Sequence, residues 1–479
     1  MNYYIGLDIG TSSVKAMLIS DEAIIKVVSR DYPLFFPKPG YSEQNPSDWY
    51  TESVTAIQEL IADIDKSMVR SIGFSGQMHG LVLLDEKDCV IRPAILWNDG
   101  RSEKEVAYLN ETVGKDFLLD HTGNIAFAGF TAPKLLWVYR NEPENFKKTH
   151  KIMLPKDYVA YMMSGVFATD TSDAAGTLYF DTEHRRWSSE MLSLLHADEG
   201  MLPEVFESDK AIGNIKESLA DELGLSKDVK IVIGAGDNAA SAIGTKTVHD
   251  GDCNISLGTS GTVFVCTDNY RCDRKNAIHT FCSANKKYHY LACTLTAASS
   301  HKWWIENILK GGYNYGEQAE QYFGKSDVLF LPYLMGERSP VNDTAVRGVF
   351  ANISMNTARE EMSLAVLEGI AFSLRENIDI IKSQGVRIEK SKVCGGGVRN
   401  RLLCRVLATV LNLELEVPQH EHGGVLGACI LAAKGIGNEV SDSFFAVRDI
   451  VQPVKDSVEF YNRKYEKYLK LYPIAKSLK

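Results

Sequence analysis

The chain has no stretch near the roughly 18 uninterrupted apolar residues that a membrane-spanning helix needs. Its first ten residues already hold Asp8, where a signal peptide would be apolar, so the expectation is a cytoplasmic protein without a membrane anchor. The nine cysteines are odd in number and never fall in a Cys-x-x-Cys pair, which argues against a disulfide framework and against a zinc site. They read as buried small apolar residues in a reducing compartment. There is no Gly-x-x-x-x-Gly-Lys-Ser/Thr sequence, so a P-loop is excluded. There is also no basic cluster: 52 Lys and Arg stand against 62 Asp and Glu, and a net charge of −10 disfavours nucleic acid as a partner.

What remains is an ordinary globular composition. The 479 residues are 45% hydrophobic and 24% charged, long enough for two or three domains at roughly 150 residues each. Strands are expected at 3–7, 14–19 and 23–32, separated by turn-sized gaps, which makes an antiparallel meander. Asn45-Pro46 starts a helix carrying Val54, Ile57, Leu60, Ile61 and Ile64 at helical spacing. A strand follows at 69–74, then a hairpin of 80–84 with 90–96. The stretch from about 101 to 228 is mostly helical in pattern. Residues 229–233 form a strand running into Gly234-Ala235-Gly236-Asp237-Asn238 and a small-residue helix. Later come a helix at 358–382, a strand at 392–394, a helix at 400–411, a strand at 415–417 and a helix at 424–433. Near the C-terminus Val458, Tyr461, Tyr465, Tyr468, Leu469 and Tyr472 share one helical face, a stripe that suits core packing and equally a homodimer interface. Mixed strands and helices indicate an α/β protein.

The start of the second half repeats the start of the first. Asp8-Ile9-Gly10-Thr11-Ser12 and Ser256-Leu257-Gly258-Thr259-Ser260 each place a Gly-Thr-Ser turn between two strands. That repeat suggests duplicated domains whose turns face each other, with the division near 240–252.

Several residues carry possible chemistry. Asp8 ends a strand, ahead of a turn whose N–H and hydroxyl donors can wrap a phosphate, with Lys15 beyond. Asp8 suits Mg²⁺ held through water, since that ion keeps most of its hydration. A polar hairpin with a local Asp bond accounts for the same letters. The turn at 234–239 formally fits Gly-x-Gly-x-x-Ala, but Asp237 would point a negative charge at a pyrophosphate, so a dinucleotide fold is rejected. Asp237 is then either a helix N-cap or a general base. Gln77-Met78-His79-Gly80 and Trp97-Asn98-Asp99-Gly100-Arg101 each end a strand. Their polar and aromatic groups suit a polyhydroxylated ligand, or a structural His and an Asp–Arg turn.

Taken together these segments resemble the FGGY family of carbohydrate kinases over nearly the whole chain. The run Gly129-Phe130-Thr131-Ala132-Pro133-Lys134-Leu135-Leu136-Trp137-Val138-Tyr139-Arg140-Asn141 matches its first signature. Gly348 to Glu368 matches the second, with Asn352 where the family has Gly; Asn is the next residue to tolerate positive φ. The 77–80 and 97–101 segments resemble the sugar-facing segments of members that phosphorylate D-xylulose. The resemblance implies two ribonuclease-H-like domains of the actin, hexokinase and Hsp70 type around a central cleft. An N-terminal sugar-binding domain over 1–245 and a C-terminal nucleotide-binding domain over 246–479 are expected. It further implies ATP and Mg²⁺, with Asp237 as the catalytic base and Asp8 important for activity. Met78, His79, Trp97, Asp99, Asp237 and Asn238 are implied around the sugar. Thr11, Ser12, Lys15, Gly258 and Thr259 match phosphate-loop positions, and Gly396 and Asn400 the adenosine turn.

Overall fold

The computed structural model describes residues 2–275, 278–311 and 315–478. Its N-terminal sheet has six strands: β1 (Tyr3–Ile9), β2 (Ser13–Ser20), β3 (Ile24–Asp31), β4 (Val69–Gly76), β5 (Ala211–Asn214) and β6 (Lys230–Gly236), in the order β5-β6-β4-β1-β2-β3. β1 pairs antiparallel to β2 and parallel to β4, β4 is parallel to β6, and β5 closes the edge antiparallel. The second sheet has seven strands: β7 (Cys253–Leu257), β8 (Gly261–Thr267), β9 (His279–Cys282), β10 (Tyr288–Thr294), β11 (Lys390–Cys394), β12 (Glu414–Pro418) and β13 (Val447–Val451), in the order β9-β10-β8-β7-β11-β12-β13. Apart from the extra β9, order and strand sense repeat the first sheet: β7 is antiparallel to β8 and parallel to β11, then β12 is parallel and β13 antiparallel. The duplication suggested by three shared letters is therefore a duplication of topology.

Each sheet is covered by helices whose apolar faces it buries. Helix α1 (Pro46–Leu60) turns Trp49, Val54, Ile57 and Leu60 toward β2 and β3. The 25-residue Arg359–Ser383 helix, α4 below, lies in the second core with Leu364, Leu367, Ile370, Phe372 and Leu374 buried. At the end of the second sheet the Lys455–Tyr468 helix buries Tyr461, Tyr465 and Tyr468, and Phe372 meets the Tyr468 ring at 5.2 Å. The aromatic stripe is thus core packing within the chain, while Leu469, which shared the expected face, is exposed. Asn352 takes φ 59°, the left-handed conformation in which Asn is the best substitute for Gly.

Of helices α2 (Pro155–Ser164), α3 (Asp237–Gly244), α4 (Arg359–Ser383), α5 (Arg401–Leu411) and α6 (Gly423–Lys434), α3 and α6 reach the cavities described below. Helix α6 crosses the expected boundary. It comes from the C-terminal half, yet it lies on β1 and β4 and against α3. Its sequence GGVLGACILAAK is apolar on all sides, the pattern of a helix without a wet face. Close approach requires glycine there: a Cβ on Gly427 would stand 1.8 Å from the Ala240 carbonyl oxygen, and one on Gly73 of β4 would stand 2.4 Å from that of Ala428.

The hairpin of 80–84 with 90–96 turns at Asp85–Asp88 as expected, with bridges at Leu84–Val90 and Leu81–Ile95 and the Ile91 N–H on the Leu83 carbonyl at 3.0 Å, while Val82–Leu84 also form a ladder with Lys151–Met153. One local expectation needs correction. Cys89 is exposed at the intervening turn, unlike the buried Cys253, Cys266, Cys282, Cys404 and Cys429. Among the described residues no helix is long and apolar enough to cross a membrane.

Candidate functional site

Asp237 is delivered to the cleft by β6. The ladder to β4 shifts register between Val232 and Ala235, and Gly234 takes φ 74° there; a Cβ would stand 1.8 Å from the Phe74 carbonyl oxygen. This bulge aims the strand end, and Asp237 begins α3. Its Oδ1 accepts the Asn238 backbone N–H at 2.7 Å and the Asn238 side-chain amide at 2.8 Å. Burial, and after it the charge of Asp8, push its pKa up to about 7, against the pull of the Asn238 hydrogen bonds. A carboxylate poised near neutral pH is suited to accept a proton.

Asp237 lines a cavity of about 240 Å³ shared by both halves. Met78, His79, Trp97 and Asn238 come from the N-terminal half, and Ser260, Thr262, His279, Phe281 and Arg338 from the C-terminal half. His79 sits at φ 71° with Nδ1 2.7 Å from the Gly176 carbonyl oxygen. A carbonyl only accepts, so Nδ1 carries the proton and Nε2 is left as an acceptor. Burial first, then Lys134 and Arg338, lower the His79 pKa to about 3, so the ring is neutral. The unusual backbone at His79 is held from behind. Its carbonyl accepts Lys134 Nζ at 2.9 Å and Thr131 Oγ1 at 3.1 Å, and Lys134 also donates to the Gly129 carbonyl at 2.7 Å. The run 129–141 therefore acts on the cavity through the main chain of His79.

Asp99 does not face this cavity. It is 2% exposed, and its carboxylate is taken by Arg101, with Nη2 at 2.7 Å and Nε at 2.8 Å, and by the Ser42 N–H at 2.6 Å. The Asp–Arg turn is the arrangement found, and Trp97 alone of that segment reaches the cavity wall.

A second cavity of about 220 Å³ is lined by Asp8, Lys15, Ser241, Thr245, Asn254, Ser256 and Gly395, together with Gly424 at the start of α6. Asp8 and Lys15 face each other across the β1–β2 register, and Asp8 Oδ1 accepts the Ser75 hydroxyl at 2.8 Å. Burial raises the Asp8 pKa, and Ser75 and Lys15 oppose it. A Cβ on Gly424 would come within 3.0 Å of Asp8 Oδ2, so glycine there keeps that oxygen clear. Of the other phosphate-loop candidates, Thr11 gives its hydroxyl oxygen to the Trp97 indole N–H at 2.9 Å, and Ser12 and Thr259 are exposed. Gly258 is half-buried, its carbonyl accepting the Ala298 N–H at 3.0 Å. Gly396 faces open space, and Asn400 caps α5 by accepting the Leu403 N–H at 3.0 Å.

Sequence reasoning missed the C-terminal wall of the first cavity. Arg338 Nη2 stands 2.8 Å from His279 Nε2, and Glu337 next to it accepts the Leu295 and Arg338 N–H groups. The signal available was the charged pair in Gly336-Glu337-Arg338-Ser339-Pro340, directly after the apolar run from Val328 to Leu334.

Two halves of one topology, a cavity shared between them, a base poised near neutrality and a second cavity with a Lys–Asp pair define a two-domain phosphotransferase of the actin and hexokinase type. Comparison with known proteins sharpens the class. Residues 3–244 match the N-terminal domain, and 253–436 the C-terminal domain, of the FGGY family of carbohydrate kinases. The chain belongs to that family and is an ATP-dependent carbohydrate kinase. It is 38% identical to the xylulose kinase of Lactococcus lactis over 100% of this chain and 96% of that one, and 35% identical to the xylulose kinase of Bacillus subtilis over 100% and 98%. Among solved structures it superposes on a xyloylose kinase from Brucella ovis with TM-score 0.93 at 38% identity over 100% of both chains. It also superposes on a gluconate kinase from Lactobacillus acidophilus with TM-score 0.94 at 25% identity over 99% and 98%.

Proposed function

We propose that the protein transfers the γ-phosphoryl group of ATP to D-xylulose, giving ADP and D-xylulose 5-phosphate. The observation that carries this reading is Asp237, a half-buried carboxylate with its pKa near 7 in a cavity walled by Met78, His79 and Trp97. The relatives named as xylulose kinases support the choice of sugar. A sugar hydroxyl is a poor nucleophile; Asp237 accepts its proton as the oxygen attacks the γ-phosphorus in line. Neutral His79 offers Nε2 to a sugar hydroxyl, and Asn238 holds the base in place.

The triphosphate belongs in the second cavity, with Lys15 as its cation and the Ser256 and Asn254 side chains as neutral partners. A sugar-binding half up to residue 245 and a nucleotide-binding half beyond it then share both cavities: Asp8, Lys15, Ser241 and Thr245 of the first half line the second cavity, and α6 of the second half packs on the first. Asp8 is the residue that would hold Mg²⁺ through water: its Oδ2 is kept clear by Gly424, and a cation there offsets two half-buried carboxylates that otherwise repel. When bound, the ion would neutralise charge on the phosphates. Residues of both halves line the sugar cavity, so closure of the halves expels the water that would compete as acceptor.

The test is ADP release measured across D-xylulose, L-ribulose, L-fuculose, gluconate and glycerol. D-xylulose is expected to give the highest kcat/KM. Faster turnover of another acceptor overturns the sugar assignment and leaves the kinase intact.

A further inference from the structure

Behind Asp237 lies a group of charges that the proposed chemistry does not use. Lys156, at the start of α2, and Asp157, Asp170 and Asp173 have side chains with no exposure. Lys156 Nζ stands 2.5 Å from Asp157, 2.9 Å from Asp170 and 3.5 Å from Asp173. Burial works against the charge on Lys156, but the three carboxylates outweigh it and raise its pKa. Burial pushes the Asp157 and Asp173 carboxyls up, Asp173 well above the usual carboxylate range; taking an ammonium and its acidic partners out of water is still costly, and apolar side chains of the same volume serve stability as well or better. Stability therefore does not account for the cluster.

A chain of hydrogen bonds leads from it toward the cleft. Asp170 Oδ1 faces Lys156, and its Oδ2 accepts the Ser172 hydroxyl at 2.6 Å, the Ser208 hydroxyl at 2.7 Å and the Ser172 N–H at 2.8 Å. With its own proton committed to Asp170, Ser172 Oγ is left to accept, and it accepts the backbone N–H of Gly236 at 3.1 Å. Gly236 is the residue before Asp237. From the other side Met78 closes in, since a Cβ on Gly236 would stand 2.9 Å from Met78 Cγ. The strand end that carries the base is thus gripped between a sugar-cavity side chain and a buried, charge-anchored serine.

We propose that Lys156, Asp170 and Ser172 are positioning residues that fix the main chain at Gly236 and so hold the Asp237 carboxylate in the geometry for proton transfer. The inference rests on Asp237 as the base. A serine hydroxyl oriented by a buried carboxylate, itself locked by an ammonium, cannot rotate to another acceptor, and this rigidity is what a misplacement-sensitive base requires.

The test is steady-state kinetics with D-xylulose and ATP on Ser172→Ala, Ser172→Thr, Ser208→Ala and Asp237→Asn, with the unfolding midpoint of each. Ser172→Ala is expected to lower kcat about tenfold while both KM values stay within about twofold, and Ser172→Thr, which keeps the hydroxyl, to recover most of the rate. Ser208→Ala loosens Asp170 without touching Gly236, so a smaller fall in kcat is expected, and it keeps the inference testable should Ser172→Ala not fold. Wild-type kcat in the folded fraction of both alanine variants, whatever their midpoints, overturns the positioning role. Wild-type kcat in Asp237→Asn removes the base assignment itself, whereas a dead Asp237→Asn beside a fully active Ser172→Ala removes only the positioning.

Discussion

The two Gly-Thr-Ser turns share letters, flanking strands and topology, yet they are fastened differently. The first is braced by side chains of its own half: the Gly10 carbonyl accepts Tyr32 OH at 2.5 Å and Gln77 Nε2 at 3.2 Å, the Thr11 carbonyl accepts Gln44 Nε2 at 2.7 Å, and Thr11 Oγ1 accepts the Trp97 indole. The second is held by the start of the following helix, with the Ala298 N–H on Gly258 and the Ala297 N–H and Ser299 hydroxyl on Thr259. Charge divides the same way. Asp8 stands two residues before the first turn and Ser256 two before the second, and both line the second cavity. Likewise Asp237 opens α3, while α6, its counterpart after β12, opens on Gly423. Duplication supplied two equal frames: the acids at the end of β1 and the start of α3 have Ser256 and Gly423 at the matching places of the other frame, where Glu421, just ahead of α6, also lines the second cavity. On the proposed function, this difference places the base and the metal-holding carboxylate on the first half.

The largest effect expected is at Asp237. Asp237→Asn keeps the volume and loses the base, so kcat should fall about 10²–10⁴-fold, with ATP binding, read by calorimetry, close to wild type. Next is the Asp8 and Ser256 pair. Asp8→Asn should cost on the order of 10²-fold in kcat and weaken Mg²⁺ activation, while Ser256→Ala should stay within about threefold. Equal losses at the two positions would break the asymmetry between the halves. Smaller again is the pH response. Asp237 must be ionised to act, and its pKa near 7 means that kcat/KM should rise about tenfold from pH 5.5 to 6.5 and level off above about 7.5. A flat profile below pH 7 would count against Asp237 as the group that titrates.

Much of this asymmetry is written in local sequence. The strand-turn-strand units, the Gly-Ala-Gly approach to Asp237 and the cap at Asn400 depend on neighbours a few residues apart, and such patterns are legible without coordinates. The parts that were not legible depend on contacts between distant segments. Lys134 looks like an ordinary helix lysine, and its hold on the His79 carbonyl exists only because α/β packing brings residues 55 positions apart together. Pro155-Lys156-Asp157 reads as a solvated helix start, yet the fold covers it completely. Asp99 lies away from the cavity for the opposite reason: its partner, Arg101, is two residues away and holds its carboxylate. The crossing of α6 was within reach, since a helix apolar on every side must be buried on every side.

The smallest effect separates bracing from binding at the first turn. Trp97→Phe keeps an aromatic wall on the sugar cavity and removes only the indole N–H bonded to Thr11. A partly exposed hydrogen bond of this kind is worth about 0.5–1.5 kcal/mol, so KM for ATP should rise roughly two- to twelvefold with KM for the sugar changed less. The matching change in the other half, Ser299→Ala, removes the hydroxyl bonded to the Thr259 carbonyl at 2.8 Å but leaves the Ala297 N–H on the same oxygen, so KM for ATP should move less than twofold. If Trp97→Phe instead raises only the sugar KM, Thr11 is not tied to the nucleotide through Trp97. The brace on the first turn would then serve folding alone, and the two turns would differ in anchoring without differing in function.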